Sequence, residues 1–192
     1  MATINAASPR AARFARYALL LAVVIIGALL LFKPATTTAA VKSGTVAPNF
    51  VTQGAIGGKT FTLDLSKQLK KGPVVLYFFP KAFTKGCTLE TQAFAENHDK
   101  FAAAGATVIG LSTDDLPTLQ RFSTEACRSK FPVAIATPQI VKAYKVKMPA
   151  MNMTNRTSFV IASNGRIAYV HSDMNYIDHV KNTLAAVEAL KK

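Results

Sequence analysis

The chain has no tryptophan and only two cysteines, Cys87 and Cys127, in 192 residues. Two thiols exclude a multi-disulfide scaffold. Together with three well-separated histidines, they also exclude a closed zinc site, whose ligands follow tighter spacings. Glycine and proline are sparse, at 10 and 9 residues, so nothing marks a long disordered stretch, and there is no internal repeat. Acidic residues are scarce as well: 10 stand against 23 Lys and Arg, giving a formal charge of +13. The bases are scattered, without any nucleic-acid motif. They read as a solvated basic surface that can attract anionic headgroups or acidic partners, with no nucleic acid expected.

Residues 1–40 contain no acid at all. Arg10, Arg13 and Arg16 precede an uncharged run of sixteen residues, Tyr17 to Phe32, which Lys33-Pro34 and ATTTAA follow. A signal peptide has this basic start, apolar run and small-residue end, with Thr38-Ala39-Ala40 as the cut. An anchor needs a slightly longer run, which Phe14, Ala15 and a snorkelling Lys33 could supply. Either way the arginines stay inside and the remainder is translocated. The expectation is therefore one N-terminal hydrophobic helix and a membrane-anchored or secreted protein, its catalytic domain on the periplasmic side. The division is 1–40 for basic start, apolar segment and linker, and 41–192 for one globular domain.

Within that domain, Thr60 to Leu65 suits a strand, and VVLYFF (Val74 to Phe79) is a strong buried strand entered through Gly72-Pro73. Cys87 to Ala104 reads as a helix and Thr107 to Ser112 as an apolar strand. Thr113-Asp114-Asp115 can cap a helix from about Leu116 to Lys130. Pro132 to Ala136 suits a short strand, and Pro138 to Tyr144 a short helix. Ser158 to Ala162 and Arg166 to His171 pair around Ser163-Asn164-Gly165. Ile177 to Leu190 is amphipathic, with Ile177, Val180, Leu184, Val187 and Leu190 on one face. Alternating strands and helices followed by a hairpin and a helix predict an α/β fold with a mixed central sheet flanked by helices.

The chemistry concentrates in FFPKAFTKGCTLE, Phe78 to Glu90. A buried strand ends at Phe79, Pro80 breaks it, a turn follows, and a helix begins near Cys87. Reactive groups in α/β sheets collect beyond the carboxyl ends of strands. A thiol at a helix N-terminus faces free N–H groups and the positive end of the dipole, which favour thiolate, the nucleophilic form. Thr84 stands three residues earlier, within reach of the sulfur or a bound oxygen. Lys81 and Lys85 add positive potential.

Pro80-x-x-x-Thr84-x-x-Cys87 resembles the active-site signature of the peroxiredoxins, and GCTLE resembles their bacterioferritin-comigratory, or Q-type, branch. ATVIGLSTDD and NRTSFVIASNGRIAYV extend the resemblance over roughly residues 44–190. It implies a thioredoxin-like fold and a thiol-dependent peroxidase acting on hydrogen peroxide and organic hydroperoxides without cofactor or metal. By the same resemblance Cys87 is the peroxidatic cysteine, Thr84 aligns the peroxide, Pro80 shields the sulfur, Arg156 holds the thiolate and Glu90 orients Arg156. Phe79 and Phe83 form an apolar wall. Electrons come from a thioredoxin-like or small-thiol reductant, and the protein is a monomer or weak homodimer.

The sequence departs from the branch in two places. Gln92 stands where many members carry a second cysteine, and Lys85 where many carry proline. Cys127 is left either to resolve Cys87 through an intramolecular disulfide or to be a packed core residue. Two other functions compete. A membrane-anchored thiol–disulfide oxidoreductase would use Cys-x-x-Cys, whereas the motif here is Thr84-x-x-Cys87. A copper-binding or redox-sensing module would use Met148, Met151 and Met153 as thioether ligands; a flexible apolar loop beside Arg156 explains them as well. His98, His171 and His179 receive no role.

Overall fold

The structure, a computed structural model, describes residues 40–191. The apolar run Tyr17 to Phe32 lies outside the described residues. Among those described, no helix is long and apolar enough to cross a membrane.

The chain runs β1 (Val51–Ile56), β2 (Lys59–Asp64), α1 (Leu65–Leu69), β3 (Val74–Phe78), α2 (Lys85–Glu96), α3 (His98–Ala103) and β4 (Thr107–Ser112). It continues through α4 (Leu116–Glu125), β5 (Val133–Ile135), α5 (Pro138–Tyr144), β6 (Thr157–Ile161), β7 (Ile167–Ser172) and α6 (His179–Ala189). Seven strands form one sheet in the order β2-β1-β5-β4-β3-β6-β7. β3 runs parallel to β4, and β4 to β5, while the remaining pairs are antiparallel. The mixed sheet expected from the alternation is present.

β3 is buried along its whole length because its two faces line two different cores. Val75 and Tyr77, with Phe79 just beyond the strand, meet Phe94, Phe101, Leu119, Phe122 and Val187 from α2, α3, α4 and α6. Val74, Leu76 and Phe78 meet Leu65, Leu69, Ile140 and Tyr144 from α1 and α5. Strict alternation of side chains on a strand makes this division automatic, and an unbroken apolar run is its sequence signature.

Several elements differ from expectation. β1 was not anticipated, because VTQGAI alternates weakly and is interrupted by Gly54; the Gly57-Gly58 turn that pairs it with β2 was its available signal. α1 is a single capped turn, with the Asp64 carboxylate accepting from the N–H groups of Ser66 and Lys67. The helix expected from Cys87 to Ala104 is two helices, broken at Asn97. α4 ends at Glu125, five residues before the predicted Lys130, because Arg128 and Ser129 both adopt left-handed backbone, at φ 50° and 56°. α6 starts at His179, leaving Ile177 in the preceding loop and exposed.

Candidate active site

The site lies beyond the carboxyl end of β3. Two bonds hold that end in place: Phe79 N–H donates to the Leu111 carbonyl at 3.0 Å, and the Thr154 hydroxyl donates to the Phe79 carbonyl at 2.7 Å. The chain then turns through half-buried Pro80. Ala82 N–H donates to the Asp114 carboxylate at 2.7 Å, which ties the turn to the end of β4. Phe83 adopts φ 63°. Its half-exposed ring meets Phe122 edge-on at 5.1 Å and lies under the Arg121 guanidinium at 5.0 Å. Such backbone in a bulky residue persists only when its surroundings hold it there.

Thr84 is the N-cap residue of α2, but its side chain makes no capping bond. The hydroxyl donates to the Lys81 carbonyl at 2.9 Å, so its lone pairs remain free to accept. The first bond of the α2 ladder runs from Thr88 N–H to the Thr84 carbonyl at 2.9 Å. Cys87 therefore sits inside the first turn, among N–H groups that precede the ladder. Its side chain is buried, at 1% exposure. Lys81 and Lys85, on either side of Thr84 in the chain, are exposed.

Arg156, immediately before β6, is 5% exposed and divides its guanidinium among three partners. Nη2 donates to Cys87 Sγ at 3.5 Å, Nε donates to the Met174 carbonyl at 3.0 Å, and Nη1 donates to Glu90 Oε2. The fork is rigid, so binding Glu90 and Met174 aims the remaining N–H at the sulfur. Gly86 leaves room for this fork: a β-carbon there would meet Arg156 Nη2 at 3.4 Å.

Glu90 is fully buried one turn after Cys87. Burial pushes its carboxyl up to about 8, with Arg156 pulling the other way. Of the residues singled out in the sequence, Cys87, Arg156 and Glu90 meet directly, with Thr84 and Pro80 in the adjoining turn. Cys127 stands apart in the same core cluster as Cys87. Both are free thiols, and burial pushes the Cys127 thiol above its ordinary range. In the Met148–Met153 segment, Met151 is exposed.

Four contributors were not anticipated. Asp114 was read as part of a helix cap, yet Asp115 fills that role and Asp114 anchors the turn. The Met174 carbonyl carried no side-chain signal. Ser158 and His179, both buried, bond each other at 2.8 Å beside Glu90. A hydroxyl inside the apolar strand TSFVI was the available clue, since a buried hydroxyl needs a partner.

The AhpC/TSA family model matches residues 43–170. The chain belongs to this family. It is a peroxiredoxin of the Q/Bcp type, and hence a thiol-dependent peroxidase. Peroxiredoxin Q, chloroplastic, of Oryza sativa subsp. japonica is 32% identical over 155 residues, covering 78% of this chain and 68% of that one. Peroxiredoxin Bcp of Escherichia coli K12 is 30% identical over 144 residues, 72% of this chain and 90% of that one. The crystal structure of peroxidoxin BcpB from Mycobacterium tuberculosis superposes with a TM-score of 0.72 at 29% identity, covering 79% of this peroxiredoxin and 99% of that chain.

These relatives overturn the expected location. The rice protein is named as chloroplastic, and no described helix can cross a membrane. The expectation of a membrane-anchored or secreted protein with its catalytic domain on the periplasmic side is therefore withdrawn.

Proposed function

We propose that Cys87 is the peroxidatic cysteine of this peroxiredoxin, that Arg156 and Thr84 bind the peroxide beside it, and that Cys127 resolves the oxidised sulfur. The observation that carries this reading is the Arg156 fork, which directs Nη2 to Cys87 Sγ at 3.5 Å while Glu90 holds Nη1. The Cys87 thiolate attacks the terminal oxygen of the peroxide. The S–O bond forms as the O–O bond breaks, leaving a sulfenic acid and an alkoxide or hydroxide that departs as alcohol or water after taking a proton. Arg156 stabilises charge on the breaking bond, Thr84 aligns the peroxide, Pro80 keeps bulk water from the sulfur, and Phe79 and Phe83 supply the apolar wall. The catalytic domain is residues 41–192.

In the second step the Cys127 thiol condenses with the sulfenic acid, releasing water and forming a disulfide, which a thioredoxin-like protein or small thiol then reduces. Both cysteines are buried, and in this reading part of α2 unwinds to bring the sulfurs to disulfide distance. The turn after Cys127 supports this, since two consecutive left-handed residues, Arg128 and Ser129, leave that segment strained. A thiol–disulfide oxidoreductase reading loses support because Thr84 occupies the position three before Cys87.

The test is peroxide consumption by the full-length chain with dithiothreitol as donor, wild type beside Cys87→Ser and Cys127→Ser, with products read by mass. Cys87→Ser should be inactive. Cys127→Ser should accumulate sulfenic acid or a donor adduct where wild type forms a disulfide. A folded, reduced wild type that leaves peroxide untouched would sink the assignment.

A further inference from the structure

Behind the Cys87–Arg156–Glu90 fork is a second set of buried polar groups. His179, first residue of α6, is fully buried. Its Nε2 lies 2.9 Å from the Asp173 carbonyl, its Nδ1 2.8 Å from Ser158 Oγ, and the same Nδ1 3.6 Å from Glu90 Oε1. A carbonyl oxygen only accepts, so Nε2 carries the hydrogen. In the neutral ring Nδ1 is then an acceptor, serving the Ser158 hydroxyl.

Glu90 Oε1 is a buried oxygen with no hydrogen-bond partner, while its twin Oε2 is held by Arg156. As a carboxylate, Glu90 would present this bare oxygen to the lone pair of Nδ1, an arrangement of two acceptors. One added proton relieves it, and two sites compete to hold that proton. Burial opposes a proton on His179 most, and the His171 ring, which packs edge-on at 4.4 Å, and the Arg156 guanidinium oppose it further. The hydrogen bond to the Asp173 carbonyl favours it, second only to burial in size, and the Asp173 carboxylate favours it more weakly. Burial acts against the charged form of both members, raising Glu90 to about 8 and lowering His179 to about 4. The proton therefore rests on Glu90 with a neutral His179 behind it.

We propose that His179 is a positioning residue of the peroxidatic centre: its Nδ1 keeps an acceptor facing Glu90, so that Glu90 stays protonated and leaves the positive charge of Arg156 to the Cys87 sulfur. This rests on the assignment of Cys87 above. Charge balance supports it. With thiolate at Cys87, Arg156 positive and the Glu90–His179 pair holding one proton, the buried cluster is neutral. If the pair loses that proton, Glu90 draws Arg156 toward itself and the cluster carries an uncompensated negative charge, which a buried site disfavours.

The readout is the rate of Cys87 alkylation by iodoacetamide against pH in the full-length protein, with the modified peptide identified by mass. It follows thiolate without requiring peroxide chemistry. His179→Asn places an amide N–H toward Oε1 that stabilises the carboxylate; it should slow alkylation about tenfold near pH 6 to 7, with the deficit closing as pH rises. Glu90→Gln, whose amide accepts from Arg156 and donates toward Nδ1, copies the protonated pair. In its background His179→Asn should cost nothing further. Ser158→Ala frees Nδ1 for Glu90, so alkylation should hold or rise. An equal loss at every pH, the same loss from His179→Asn with or without Glu90→Gln, or no effect in a folded His179→Asn protein would each refute the proposal. A protein that shows the alkylation pattern yet ignores peroxide would instead refute the peroxidatic assignment.

Discussion

Raising the pH from 6.5 to about 8 should remove about 2 kcal/mol of folding stability, and Glu90→Gln should abolish that loss. Burial raises Glu90 from 4.5 to about 8 and lowers His179 from 6.5 to about 4. From about pH 4.5 to 6.5 the folded protein keeps a proton on Glu90 that the unfolded chain has released, but lacks the one that the unfolded histidine has gained. The two differences cancel, and stability contributed by this pair stays level. Above 6.5 the histidine is neutral in both states, and the folded protein holds one proton more. Stability then falls with pH at about 1.4 kcal/mol per unit over about 1.5 units, until Glu90 ionises in the folded state too. Below about 4.5 the sign reverses, because only the unfolded histidine is charged. Urea unfolding followed by circular dichroism, at pH values spaced from about 5 to 8.5, gives the curve directly. Level or rising stability between 6.5 and 8.5, or an unchanged decline in Glu90→Gln, would refute the linkage between burial and this proton.

Arg156→Lys keeps the charge but loses the fork that binds Glu90, Met174 and Cys87 together; peroxide reduction should fall about 10²- to 10³-fold in kcat/KM in a stopped-flow assay. Thr84→Val removes the hydroxyl that Lys81 orients and should slow peroxide reduction strongly with little change in melting temperature, whereas Thr84→Ser should retain most activity. Phe94→Ala empties a fully buried position stacked on Tyr77 at 4.4 Å and should cost about 3–5 kcal/mol in urea unfolding, with loss below about 1 kcal/mol contradicting the packing described.

Local sequence pattern was enough for the sheet class and for placing Cys87 at a helix start beyond the end of a buried strand. VVLYFF could only be a strand covered on both faces, and Pro80, Thr84 and Cys87 are placed at its end by local rules of strand termination and helix initiation. Thr107–Ser112 and Pro138–Tyr144 have the predicted bounds, because each is a short run with sharp punctuation at both ends. Arg156 and Glu90 came from the family pattern alone, since 66 positions separate them and no periodicity links residues that far apart. Tertiary structure decided the rest. It ended α4 early at a left-handed turn, split the long helix at Asn97, and gave β1 its place through pairing with β2 and β5. It also drew His179, Ser158 and Glu90 together from α6, β6 and α2. Local sequence rules describe neighbours along the chain, whereas the proton affinity of a buried carboxyl depends on which distant groups close over it and exclude water.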